Sequence, residues 1–241
     1  MKNNLVILGY GPGISKSIAY RFGREKFTIC LVARNKSKLD QAVSNLRDKG
    51  IEAYAFQCDL SDLEQIPDLI GNIKATVGSI KNILWNAFND SKGDLLQTSP
   101  SSLTDDFHIR VSSYVAMVQA CLPDLDANNG SILSTNGIFA LDNTQTDSMA
   151  YPYASLAIPA AAQNKTTNLL MRNLSKTKIF VGQVIVNGFV TGTAGGEKQN
   201  YTVHPDEVAQ KFWEMYSSRT PNSMTCGQLV DMSQNNYIYN Q

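Results

Sequence analysis

Short apolar runs alternate along this chain with longer stretches whose apolar residues recur at helical spacing. Leu5-Val6-Ile7-Leu8 reads as a buried strand running into glycines, and a helix begins over Ser17 to Phe22. Thr28 to Val32 predicts a second strand. Leu39, Ala42, Val43 and Leu46 then share one helical face that Gly50 closes. Ala53 to Gln57 predicts a third strand. Ser61 and Glu64 have the spacing of a capping box ahead of a helix carried by Leu63, Ile66, Ile70, Ile73 and Val77. Ile80 to Trp85 follows as a fourth strand. A long helix is expected over Asp105 to Leu122, stopped near Pro123, and Ser131 to Thr135 is a fifth strand. A further helix is expected over about Ala160 to Leu174, with Pro159 marking its start rather than lying inside it, and Ile179 to Val186 is a sixth strand. Pro205 suits the first position of a helix containing Val208, Phe212 and Trp213, and Cys226 to Val230 predicts a seventh, edge strand.

Strands alternating with helices predict an α/β fold, a doubly wound parallel sheet of about seven strands with helices on both faces. With no repeat or linker, the chain reads as one domain over 1–241. Composition narrows the partners. The 21 basic and 21 acidic residues balance, so nothing points to nucleic acid or to an anionic membrane surface. No apolar run reaches the roughly 20 residues a bilayer requires. Met1-Lys2-Asn3-Asn4 leads directly into the first strand, which argues against a signal peptide. Cys30, Cys58, Cys121 and Cys226 lack metal-ligand or CxxC spacing and read as reduced core thiols of a cytoplasmic protein. With two histidines and no His/Cys cluster, no metal site is expected.

The first strand enters Gly9-Tyr10-Gly11-Pro12-Gly13-Ile14-Ser15. Glycines between a strand and a helix let backbone approach a pyrophosphate, and the helix start directs its amide dipoles at it. That context, rather than the glycines alone, makes this the binding loop of a dinucleotide. The second strand ends Val32-Ala33-Arg34-Asn35. An acidic residue there would bind a ribose 2′-hydroxyl, whereas Arg34 offers a planar cation to a 2′-phosphate, with Lys38 one turn on. The expected cofactor is NADP(H) in preference to NAD(H).

With these fragments in order, the chain resembles the short-chain dehydrogenase/reductase family over nearly its whole length. The glycine loop matches the family's TGxxxGxG in length, with Leu8 for the threonine and Ser15 for the last glycine. Cys58-Asp59-Leu60 resembles the segment that borders the adenine. Trp85-Asn86-Ala87-Phe88 resembles the NNAG segment, and Asn187-Gly188-Phe189-Val190-Thr191 resembles the PG segment beside the nicotinamide. The resemblance assigns cofactor contacts to Gly9, Gly11, Pro12, Gly13, Ile14, Arg34, Asp59, Leu60, Asn86, Ala87, Gly188 and Val190.

The catalytic set departs from the family, whose members use a tyrosine, a lysine four residues later, a serine and an asparagine. Aligning Ala154-Ser155 with the usual YxASK puts Pro152 at tyrosine and Leu156 at lysine, with Gly137 or Asn136 at serine and Arg110 at asparagine. A second alignment resembles a divergent branch reading YASLSxGKA. It retains Tyr153 as the acid and puts Ala160 at the lysine. Lys165 does not substitute, because five further residues turn a helix by about 140° and rise about 7.5 Å. Without that cation nothing favours a phenolate, and a neutral phenol can donate a proton but is a poor base.

The resemblance therefore implies an NADPH-dependent reductase of a small carbonyl or enoyl compound, with Tyr153 as proton donor and Asn136 or Thr135 polarising the acceptor. The competing reading is an NADP(H)-binding sensor, or an oligomer partner, with an eroded catalytic set. Tyr153 also suits a packing role, and Arg110 is either a structural cation or a binder of a carboxylate substrate. Family members are commonly homodimers or homotetramers through two long helices. Val115, Met117, Val118, Leu169 and Leu170 suit such an interface or a monomer core equally. The glycine-rich segment within about 191–217 is expected to line the pocket as a lid.

Overall fold

A computed structural model describes residues 3–89, 93–197, 199–200 and 202–231. The first half alternates strictly: β1 (Asn4–Leu8), α1 (Ile14–Arg24), β2 (Thr28–Ala33), α2 (Lys36–Arg47), β3 (Ala53–Gln57), α3 (Ile66–Val77) and β4 (Asn82–Trp85). The second half adds α4 (Pro100–Phe107), α5 (Ser113–Ala127), β5 (Ser131–Gly137), α6 (Thr144–Ala150), α7 (Ala154–Asn173) and β6 (Phe180–Val186). A short pair, β7 (Phe189–Val190) and β8 (Thr202–Val203), precedes α8 (Pro205–Ser218) and β9 (Ser223–Cys226).

Seven strands form one sheet in the order β3-β2-β1-β4-β5-β6-β9, and every neighbouring pair is parallel. The order reverses between β1 and β4, which opens a crevice at their carboxyl ends. Both faces are covered, which is why β1 is apolar at consecutive positions. Leu5 and Ile7 pack under α1, α2 and α8 with Phe22, Leu46 and Phe212. Val6 and Leu8 pack on the opposite face under α3 and α5 with Ile73, Met117 and Val118. Met117 and Val118 are thus core residues of this chain, whereas Leu169 on α7 is 52% exposed.

Several boundaries differ from the sequence expectation, each for a local reason. Ser61 does not form a capping box with Glu64. Its amide and hydroxyl both donate to Asp59, and Asp62 caps the turn instead by accepting from the Glu64 amide. The helix expected from Asp105 starts earlier, because Ser99 accepts from the Ser102 amide and Pro100 suits the first turn. One π turn over His108–Ser112 then separates α4 from α5. Pro123 does not stop α5. It lies on the exposed face with Gln119, so the carbonyl it deprives of a donor faces water, while Leu125 beyond it stays buried.

Pro159 lies inside α7, which begins at Ala154, and its sixth position there costs one ladder bond near the helix start. The last strand is Ser223–Cys226 rather than Cys226 to Val230. It ends because Gly227 turns at φ +100, after which Asn187 takes the chain: its side chain accepts from the Val230 amide and donates to the Val230 carbonyl. The 191–217 segment also divides. Residues 192–195 face the main cavity and 198 and 201 lie outside the described residues, while α8 is a core helix against α1 rather than a lid. Trp213 meets Phe22 edge-on at 5.3 Å and lies under Arg21 at 4.5 Å.

Candidate active site

The crevice at the switch point opens into a cavity of about 590 Å³. The glycine loop forms one end. Gly9 hooks its amide onto the Val32 carbonyl at φ +88, and a Cβ there would lie 2.5 Å from the backbone of Ala87. Only glycine lets the loop pass so close to the end of β4. Asn86 locks the same junction: its side-chain amide donates to the Gly9 carbonyl at 3.0 Å. Ser15, where the resemblance expects a last glycine, is buried and serves the loop. Its hydroxyl accepts from the Gly11 amide at 2.8 Å and returns a bond to the Gly11 carbonyl.

Helix α1 starts at Gly13 with no side-chain cap and no acidic residue in its first turn. Its first amides therefore remain available to an anion at the positive end of the helix dipole. Arg34 is exposed at the end of β2, on the same cavity wall. Asp59 lies beside it. Partial burial raises its carboxyl, but the Ser61 hydrogen bonds and the Arg34 charge outweigh that and hold it below the usual range. Lys38 is not on the wall, and its backbone amide is taken by the Asn35 cap of α2.

Each of Gly9, Gly11, Pro12, Gly13, Ile14, Arg34, Asp59, Leu60, Asn86, Ala87, Gly188 and Val190 lines this single cavity. So does Asn136, at the far end, beside Thr135 and Gly137. Tyr153 does not. It is the half-buried residue before α7, and its ring stacks at 5.9 Å on Phe139, which does line the cavity. The wall positions on α7 are Leu156 and Ala160, four apart, while Lys165 is exposed and off the wall.

The far end is organised around a cation. Arg110 sits on the π turn, where the widened helix redirects its side chain inward, and is 6% exposed. Its Nη1 donates to Gln163 Oε1 at 3.0 Å and, more weakly, to Asn136 Oδ1 at 3.4 Å. Gln163 donates in turn to the Thr135 carbonyl at 2.9 Å. Burial pushes the Arg110 guanidinium down to about 10, opposed by the nearby negative charge of Asp106. The sequence reading did not single out Gln163. Its only signal was position, since it follows Ala160 by three on the buried face of α7. Among the described residues no three His, Cys, Asp or Glu side chains gather as a metal site, and no helix is long and apolar enough to cross a membrane. All four cysteines are free and buried.

Sheet order, glycine loop and carboxyl-edge cavity define an α/β protein of the Rossmann type. The family model described as short chain dehydrogenase matches residues 3–202, and the chain belongs to that family. Among curated proteins, it is 24% identical to human 17-beta-hydroxysteroid dehydrogenase 13 over 73% of this chain and 58% of that protein. It is 31% identical to tropinone reductase-like 3 of Erythroxylum coca over 53% of this chain and 50% of that one. The match thus spans only 58% and 50% of the length of these two relatives.

Among solved structures, L-sorbose reductase from Gluconobacter frateurii complexed with NADPH and L-sorbose superposes with a TM-score of 0.82 at 19% identity, covering 96% of this chain and 98% of that one. An alcohol dehydrogenase from Thermococcus sibiricus complexed with 5-hydroxy-NADP gives 0.81 at 16% identity, covering 96% and 99%.

Proposed function

We propose that the chain binds NADP(H) in this cavity and uses it to reduce a small carbonyl or enoyl compound. The observation that carries the reading is continuity. The uncapped start of α1, Arg34, and the polar far end at Asn136 and Arg110 share one cavity. The α1 amides would hold the pyrophosphate, and Arg34 a 2′-phosphate. Asp59 and Leu60 would border the adenine. Asn86, Ala87, Gly188 and Val190 would flank the ribose and nicotinamide. When bound, NADPH supplies a hydride to the acceptor carbon, a proton joins the acceptor oxygen, and NADP⁺ remains. Tyr153 is the proposed proton donor, its ring stacked on Phe139 of the cavity wall. Asn136 spends its amide internally, on the Ala160 carbonyl, and would position the far wall rather than polarise an acceptor. The free thiols suit a reducing compartment such as the cytoplasm, and the exposed face of α7 suits self-association.

The apolar Leu156 and Ala160 on the wall, with Tyr153 not among the residues that line it, favour a second reading: a chain that binds NADP(H) without turning it over. A fluorescence titration of NADPH and NADH, followed by NADPH oxidation with a panel of carbonyl compounds, separates the two. The reductase reading expects micromolar NADPH binding, weaker NADH binding and turnover that falls about 10²-fold or more in Tyr153→Phe. Tight binding without turnover on any acceptor leaves the second reading. Turnover unaffected by Tyr153→Phe removes the tyrosine from the mechanism.

A further inference from the structure

Arg110 has more donors than the protein uses. A guanidinium carries five N–H groups on three nitrogens. Both of its hydrogen bonds leave from Nη1, to Gln163 and Asn136, so Nε and Nη2 have no partner among the described residues. Neither nitrogen is among the sealed, unsatisfied polar atoms, and Arg110 lines the cavity, so among the described residues nothing closes these donors off from it. Among the described residues no carboxylate oxygen comes within 4.0 Å of the guanidinium. A buried cation without an ion pair is costly unless something completes it.

The surroundings define what completes it. The guanidinium is held rigidly: Gln163 fixes one edge, and Phe88 lies 5.2 Å from its carbon across the ring face. Phe139, Leu156 and Ala160 make the adjoining wall apolar. The other arginine on the cavity wall, Arg34, belongs to the end of β2, on the far side of the glycine loop from this pocket. One planar fork with open donors and, among the described residues, no second cation beside it matches a monoanionic carboxylate on an apolar body better than a phosphate dianion.

We propose that Arg110 is the anchor for a substrate carboxylate, so that the cavity takes a small oxo acid with an apolar side chain. The inference rests on the reading of the cavity as a substrate site and names the substrate class. The carboxylate would occupy the open donors of Arg110, the apolar part would meet Phe88, Phe139 and Leu156, and the oxo carbon would lie on the cofactor side.

The test is calorimetric binding of phenylpyruvate and of its neutral amide to the wild-type protein, with and without NADP⁺, repeated on Arg110→Gln and Arg110→Lys. The acid is expected to bind the wild type at least about tenfold more tightly than the amide, Arg110→Gln to lose that preference, and Arg110→Lys to keep part of it. Equal binding of acid and amide, binding of neither, or an acid preference that survives in Arg110→Gln overturns the proposal. If Arg110→Gln does not fold, the acid-to-amide comparison on the wild type decides. NADPH oxidation is recorded separately. Charge-selective binding without oxidation removes the reductase reading and leaves the anchor. Equal reduction of acid and amide does the reverse.

Discussion

The side-chain amide of Asn136 donates to the main-chain carbonyl of Ala160 at 2.9 Å, tying the end of β5 to α7. The bond fixes the residue that the family resemblance aligns with the missing lysine, and it fixes it by its backbone, which a substitution leaves in place. The Ala160 side chain faces the cavity.

Ala160→Lys should therefore deliver an ammonium to the far end of the cavity without disturbing that tie. If Tyr153 is a proton donor lacking its cation, turnover should rise about tenfold or more, measured as NADPH oxidation with an accepted carbonyl compound. Because the site is only 2% exposed, a thermal melt must accompany the assay. A folded variant with unchanged turnover would show that the lost lysine is not what limits the chemistry.

Arg34 separates the two cofactors. It is exposed, so its contribution lies at the low end of a charge-assisted hydrogen bond, about 1.5 kcal/mol. Arg34→Ala should weaken NADPH about tenfold in a fluorescence titration and change NADH by less than about twofold. Equal weakening of both would mean that the side chain does not meet a 2′-phosphate.

Two glycines of the same loop should behave differently. Gly9 combines φ +88 with backbone 2.5 Å from any added Cβ, so Gly9→Ala should cost about 3 kcal/mol or more in urea unfolding. At Gly11 an added Cβ meets nothing within 4 Å and projects beside the cavity, so Gly11→Ala should leave stability within about 0.5 kcal/mol. Its effect should appear in NADPH affinity instead. Equal stabilities of the two variants would contradict the close approach of Gly9 to Ala87.

The contrast between the loop and the far end shows where sequence pattern suffices. Leu5 to Leu8 is apolar at every position because both faces of β1 are covered, and the glycines follow because β4 passes beside them. Those causes are local in sequence, so strand, loop and helix were legible together. The far end is made by tertiary contact. Arg110 is buried on a π turn that no residue pattern announces, and its partner Gln163 lies 53 residues on. Pro123 and Pro159 misled for a related reason: a proline ends a helix only where the orphaned carbonyl cannot be met and nothing beyond is buried. The resemblance to YASLSxGKA points to Tyr153 as the acid, yet the helix entry turns its ring onto Phe139.

The thiols give the fold an alkaline limit. Burial pushes Cys30 and Cys121 up to about 12, with a smaller upward push from the charges of Glu52 and Asp124 respectively. In the unfolded chain each titrates near about 8.5. Between those values the unfolded state loses protons that the native state keeps, so stability is fully present below about pH 8.5 and falls as pH rises above it. One pH unit above, each thiol should account for about 1.4 kcal/mol. Urea unfolding at about pH 7.5 and about pH 9.5 should therefore differ by about 3 kcal/mol from this pair. The double variant Cys30→Ala with Cys121→Ala, though less stable at neutral pH, should show a correspondingly flatter profile. A profile as steep in the double variant as in the wild type would assign the alkaline loss to other groups, with Cys58, whose thiol burial raises to about 11, the next to test.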